Sequence, residues 1–179
     1  QTIQYQINTL MTTNGQSPFV TLFLNLREDD PYIEENAMII EEVIRQRLQG
    51  IKNEKGVYVT PAFPKLVYVL DEHNRLNGGK YDYLTKLAVK CSAKRMYPDY
   101  ISAKKMRENY AGNVFAPMGC RSFLSPWKDE NGNYKFEGRF NQGVVSLNLP
   151  QIGIIADGDE DKFWKLLDER LQLCHDALM

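Results

Sequence analysis

At 179 residues and 20.7 kDa, the chain can form one substantial core, and its 43% hydrophobic residues can fill it. A net charge of −1 gives no broad electrostatic case for nucleic acid, which usually wants a strongly basic face, and no stretch approaches the ~18 apolar residues of a membrane span. Three cysteines, at 91, 120 and 174, make neither a disulfide framework nor a paired metal motif; one intramolecular disulfide stays open, but a reducing compartment is favoured. From the amino end, Ile3, Ile7, Leu10 and Met11 fall at helical spacing, and TTNGQSP (12–18) breaks that pattern with Asn-Gly and Pro. FVTLFLNL (19–26) is apolar on both faces, as a covered strand is. Asp30, Pro31 and Gly50 bracket a helix whose stripe is Ile33, Ala37, Ile40, Ile44 and Leu48.

After a turn at 53–56, residues 66–70 read as a second covered strand. A helix follows over 81–96, with Leu84, Leu87, Cys91 and Arg95 near one face, then a shorter one over 102–109. VFAP (114–117) is expected as a strand, SPWKDENGNYKFEGRF (125–140) as a hairpin or surface loop with Asn131-Gly132 at its bend, and VVSLNL (144–149) as another strand. The last helix runs from near Asp159 to the end, with Phe163, Leu167, Leu171, Cys174 and Leu178 on one stripe. Helices alternating with covered strands make this an α/β chain. It opens and closes inside helical patterns, so it is expected to be a piece of a longer polypeptide.

Cys91 and Cys174 sit on helical stripes and read as packing residues. Cys120 does not: it lies in PMGCRSFL (117–124), where Pro117 constrains the backbone and Gly119 permits close approach. Two readings remain open there, a loop cysteine held by packing or a reactive thiol. Hydrolytic thiol chemistry would need a base, and the two histidines, His73 in a turn and His175 on a helix, read as ordinary, partly exposed residues. Cys174 and His175, adjacent on a helix, point apart and cannot share an ion readily. In GRFNQGVVSLNLP, an extended segment would set Arg139 and Asn141 on one face, a fork for an anion beside an amide for a hydroxyl. Asn148 suits either a polar core network or a pocket. TTNGQS lacks phosphate-loop spacing and reads as a turn. The pairs Lys94-Arg95 and Lys104-Lys105 read as solvated helix faces, and Trp127 and Trp164 as ordinary anchors.

Taken together, TTNGQSPFVTLFLNL, GVYVTPAFPKLVYVLDE, CSAKRMYPDYISAKKM, APMGCRSF, GRFNQGVVSLNLP and GDEDKFWKLLDERLQLCHDALM closely resemble, in order, the central catalytic region of anaerobic, class III ribonucleoside-triphosphate reductases. The resemblance covers essentially the whole chain. It implies a partial ten-stranded α/β barrel spanning 1–179, approximately the carboxy-terminal half, with a finger loop near 117–124. Cys120 then matches the transient thiyl-radical residue, and Asn141 the amide that hydrogen-bonds ribose hydroxyl or formate. Met118, Arg139 and Asn148 become substrate-pocket candidates.

The resemblance further implies ribonucleoside triphosphates as substrates, formate as reductant, a radical-SAM activating enzyme, a homodimer with an effector near its interface, and a cytoplasmic setting without direct nucleic-acid or membrane contact. The family's glycyl radical, its structural zinc with four cysteines, its nucleotide-binding cone and a further active-site cysteine are not matched in this chain. The isolated piece is therefore expected to be inactive. The competing expectation is a noncatalytic nucleotide-binding or assembly module.

Overall fold

The computed structural model describes residues 2–13, 15–117, 123, 126–138 and 145–179. In chain order the elements are α1 (Thr2–Thr9), β1 (Thr21–Leu24), α2 (Ile33–Gln49), β2 (Ile51–Lys52), β3 (Tyr58–Val59), β4 (Lys65–Leu70) and α3 (Asp82–Arg95). They continue with β5 (Asp99–Ser102), α4 (Ala103–Asn109), β6 (Trp127–Lys128), β7 (Tyr134–Lys135), α5 (Leu149–Ala156) and α6 (Glu160–Leu178). Two compact units divide the chain, Gln1–Ser125 and Pro126–Met179.

In the first unit β1, β4 and β5 form a parallel sheet in that order, with Thr21 opposite Lys65 and Val67 opposite Asp99. Between β1 and β4 the chain makes α2, and between β4 and β5 it makes α3. Parallel neighbours need such crossovers, because a tight turn can only reverse the chain. The run LVYV in the central strand is apolar throughout because both its faces are covered: Leu66, Val67, Tyr68 and Val69 are all buried. β1 is an edge strand and is less covered; Leu24 and Leu26 are buried, but Phe19 is exposed.

The core unites Leu24, Leu66 and Tyr68 with Ala37, Ile40 and Ile44 of α2 and Leu84, Ala88 and Cys91 of α3. The predicted stripe of α2 is thus its buried face. Asp30 organises the approach to that helix, accepting from the Tyr32 amide at 2.9 Å and from Asn36 Nδ2 at 2.7 Å. The helix itself begins at Ile33, two residues past the Pro31 expected to start it. At its other end Arg95, read from sequence as part of a solvated pair, is buried and satisfies open carbonyls. It donates to Leu48 O at 3.0 Å and Gln49 O at 2.5 Å. Gly50 has φ 86°, and a Cβ there would overlap the Val59 carbonyl oxygen and crowd the Arg95 guanidinium.

A second buried cation, Arg47, donates to the carbonyls of Pro61, at 2.6 Å, and Pro64. Burial pulls its pKa below the ordinary arginine value. Arg47 thus fastens the end of α2 to the chain entering β4, and Arg95 fastens it to α3.

In the second unit β6 and β7 pair as the expected hairpin around Asn131-Gly132. Asp129 closes it by accepting from the amides of Asn131, at 3.0 Å, and Asn133, at 2.9 Å. α5 packs on α6, whose first turn is capped by Asp159 accepting from the Lys162 amide at 3.0 Å.

The α/β class stands, but the barrel does not. Among the described residues there are one three-stranded sheet and two two-stranded ribbons, all open. Closure requires each strand to have a neighbour on both sides with a continuous stagger. Here β1 and β5 each have a single partner, and the two ribbons pair only within themselves. Two expected strands are also missing: 114–117 and 145–148 belong to no ladder, and Leu149 already starts a helix.

Candidate functional site

Ligands of open parallel sheets gather outside the carboxyl ends of the strands, where loops diverge and strand-end carbonyls point outward. This sheet has a cleft of about 530 Å³ there. Asn25, Arg27, Glu28 and Asp29 enter it directly after β1, Asp71 and Glu72 directly after β4, Arg107 from α4, and Gly112, Asn113 and Val114 from the chain beyond α4.

The loop leaving β4 is built by three side chains. Asn74, fully buried, donates from Nδ2 to Val69 O at 3.0 Å and accepts from the Asp71 amide at 2.8 Å. Its own carbonyl accepts from Thr85 Oγ1, which is 2.8 Å from Tyr68 Oη. Burial raises the Tyr68 phenol to about 12, so it stays protonated. Asp82 gathers the far side of the loop, accepting from the amides of Leu76, Gly78 and Gly79.

That scaffold presents Asp71 to Arg107. The guanidinium grips both carboxylate oxygens, Nη1 to Oδ1 at 2.9 Å and Nη2 to Oδ2. The Arg107 hydrogen bond holds the Asp71 carboxyl below the usual aspartate range, and raises Arg107 in turn. Arg27 forks onto Asp29 at 3.0 and 2.5 Å. His73 Nδ1 lies 3.4 Å from Glu28 Oε1, a pair that is ionic only with the imidazole protonated. The ring meets Tyr81 edge-on at 5.9 Å and its side chain is only 10% exposed, so the partly exposed histidine expected from sequence is nearly covered. Both cleft arginines are already matched by carboxylates. A ligand here must therefore compete for them, and no thiol lines the cleft among the described residues.

Of the residues singled out from sequence, Met118, Cys120, Arg139 and Asn141 lie outside the described residues. Asn148 is described, and it stands at a helix start instead of on a strand: its Oδ1 accepts from the Gln151 amide at 3.1 Å, capping α5. Cys91 is sealed in the core, where burial raises its thiol, so it is a packing residue as expected. Cys174 is half-buried on α6. Of the 12–17 segment, residue 14 lies outside the described residues; the Thr12 amide donates to Gln16 O at 2.7 Å and the Gly15 amide to Thr12 O at 2.9 Å. Among the described residues no group of three or more His, Cys, Asp or Glu is placed to hold a metal ion. Sequence reasoning missed Asp71, Arg107 and Arg27; the available signal was an aspartate set directly after a covered strand.

A family model described as anaerobic ribonucleoside-triphosphate reductase matches residues 1–179. The chain is 45% identical over 181 residues to the anaerobic ribonucleoside-triphosphate reductase of Escherichia coli K12, covering all of this chain and 24% of that protein. It is 44% identical over 182 residues to the Salmonella typhimurium protein of the same name, again 24% of its length. The enterobacteria phage T4 protein is 42% identical over 185 residues, 29% of its length. The chain thus spans about a quarter of these relatives.

Proposed function

Because this chain belongs to the anaerobic ribonucleoside-triphosphate reductase family, we propose that it carries the hydrogen-abstracting cysteine of an enzyme that converts ribonucleoside triphosphates to deoxyribonucleotides. The observation behind this reading is the unbroken family match from residue 1 to 179, which includes the Met118-Gly119-Cys120 triplet.

A glycyl radical on sequence outside this chain would accept a hydrogen atom at its α-carbon, forming a C–H bond there. Cys120 gives up its thiol hydrogen atom and becomes a thiyl. It then takes the ribose 3′ hydrogen, forming an S–H bond and leaving an unpaired electron on C3′. The 2′ hydroxyl leaves as water with the proton of the 3′ hydroxyl. Formate, oxidised to carbon dioxide, supplies the hydrogen that C2′ gains and, together with a proton from solvent, the electron that restores the 3′ hydroxyl. The sulfur then returns the 3′ hydrogen and is a thiyl again. What the chain contributes is orientation. Abstraction needs reacting atoms about 3–3.5 Å apart, and misplacement by about 1 Å can cost ~100-fold. Asn141 orients the ribose hydroxyl or formate through its amide, with Arg139 and Met118 supporting the pocket.

The test uses the full-length protein that contains this sequence, activated anaerobically by its radical-SAM partner. Cys120→Ser is expected to abolish deoxyribonucleotide formation while the glycyl radical signal still develops in electron paramagnetic resonance. Turnover retained by that variant overturns the reading. If the wild-type assembly forms its radical but never turns over, while this piece binds ribonucleotides, the chain is instead a nucleotide-binding or assembly module.

A further inference from the structure

Where α2 runs out and the chain turns toward β4, two adjoining cavities of about 550 and 230 Å³ share Tyr5, Ile51 and Lys52 as walls. Both sides are anchored. On one, α1 is tied down by Tyr5 Oη, which donates to Lys52 O at 3.3 Å, and by Asn8 Nδ2, which donates to Phe63 O at 2.6 Å. On the other, Asn53 folds the turn joining β2 and β3, its Oδ1 accepting from the amides of Lys55 and Val57 at 3.0 Å. Behind Gly50 stands the buried Arg95. A Cβ on that glycine would come within 2.9 Å of Arg95 Nη2, so the missing side chain is what brings the guanidinium up to the cavity wall.

Charge separates this place from the cleft at the carboxyl ends of the strands. There each arginine is gripped by an aspartate. Here Lys52 and Lys55 have no carboxylate partner among the described residues, and Arg95 donates to two carbonyls and to Thr60 Oγ1. Lys52 Nζ is held 5.3 Å from the centre of the Tyr58 ring, which steadies the ammonium without neutralising it. Tyr58 Oη accepts from Gln49 Nε2 at 3.2 Å, so its own O–H is left to donate. Three cations thus face a single lining carboxylate, Glu54. That surplus suits a ligand with at least two negative charges and with oxygens that only accept. We propose that this site binds a polyphosphate group, two or more linked phosphates, with Lys52, Lys55 and Tyr58 as its donors and Arg95 as fixed positive charge behind the wall. The group arrives either as free polyphosphate or on a nucleoside. The proposal is independent of the role of Cys120.

The experiment uses the full-length protein that contains this sequence and follows acetylation of its lysines by peptide mass spectrometry, with tripolyphosphate as the probe. Lys52 and Lys55 are expected to react about 3-fold or more slowly with the probe bound, while the exposed Lys86 and Lys90 of α3 keep their rates. Lys55→Gln, read at Lys52, should raise the half-protecting concentration about 10-fold, and Tyr58→Phe about 3-fold, whereas Lys55→Arg should keep most of the protection. Adenosine triphosphate and adenosine separate the sources. Protection by the nucleotide at a lower concentration than tripolyphosphate supports the site with a nucleoside triphosphate as its ligand; an equal or higher concentration supports it with the phosphate chain alone. Protection by adenosine overturns the proposal. So do amines at 52 and 55 that are unreactive before any probe is added, protection matched by sulfate at the same ionic strength, or a half-protecting concentration unchanged in both the glutamine and phenylalanine variants.

Discussion

α2 and α6 make an instructive pair. Both are long amphipathic helices, 17 and 19 residues, and both carry an apolar stripe legible in the sequence. In α2 that stripe is a core face: Ala37, Ile40 and Ile44 are buried between the parallel sheet and α3. In α6 no residue is buried; Phe163, Leu167 and Cys174 are half-covered, and Leu171 and Leu178 are exposed. Periodicity therefore identifies which side of a helix seeks cover, and only the neighbours decide whether cover is there. α2 has a sheet beneath it, while α6 has the eight-residue α5.

The largest effect should come from testing that contrast directly. Ile44→Ala removes a fully buried side chain and is expected to cost about 2–5 kcal/mol in denaturant unfolding, whereas Leu171→Ala, half exposed on α6, should stay within about 0.5 kcal/mol. Equal costs would break the comparison. A smaller effect sharpens it: with little burial, α6 should depend more on its own end than on its stripe. Asp159→Ala removes the cap on the Lys162 amide and is expected to cost about 1 kcal/mol, exceeding Leu171→Ala, as read by loss of helical ellipticity on heating.

The smallest effect concerns the polar side of the first unit. Asp71 is held below its ordinary pKa by Arg107, so its folded pKa lies under its unfolded one of about 3.9. The pair's contribution is therefore present at neutral pH and is lost as pH falls below about 4 and through the folded value. Because the Arg107 side chain is 46% exposed, solvent screens the pair and the amount is on the order of 1 kcal/mol or less. Asp71→Asn should flatten the acid limb of stability by that much in urea titrations at pH 7 and pH 3; an unchanged limb would show that the pair contributes nothing.

Much of the fold could be read in advance where local signals and tertiary demand agreed. LVYVL is a central strand because it is apolar on both faces, and Cys91 lies in the core because its helical face does. β5 escaped notice: DYIS has one buried residue and no alternation to show, and it is a strand because β4 offers it a register at Val67–Asp99. α5 escaped for the opposite reason. VVSLNL looks like a strand, yet Asn148 followed by Leu149-Pro150 is a helix start, a cap with proline in the first turn. The barrel was expected from kinship, and the open edges of β1 and β5 overturned it.

The candidate site divides the same way. The sequence by itself determined the family, the α/β class and the standing of Cys120 as the cysteine without a helical stripe, because those depend on residue identity and order along the chain. Only the tertiary structure decided that Asp71 and Arg107, 36 residues apart, grip one another, that Arg27 shares their cleft, and that Phe115 meets Phe123. Such contacts have no local signature. The polar ones arise because three parallel strands end on one side of a sheet, and hydrogen bonds then join whatever side chains the loops deliver there.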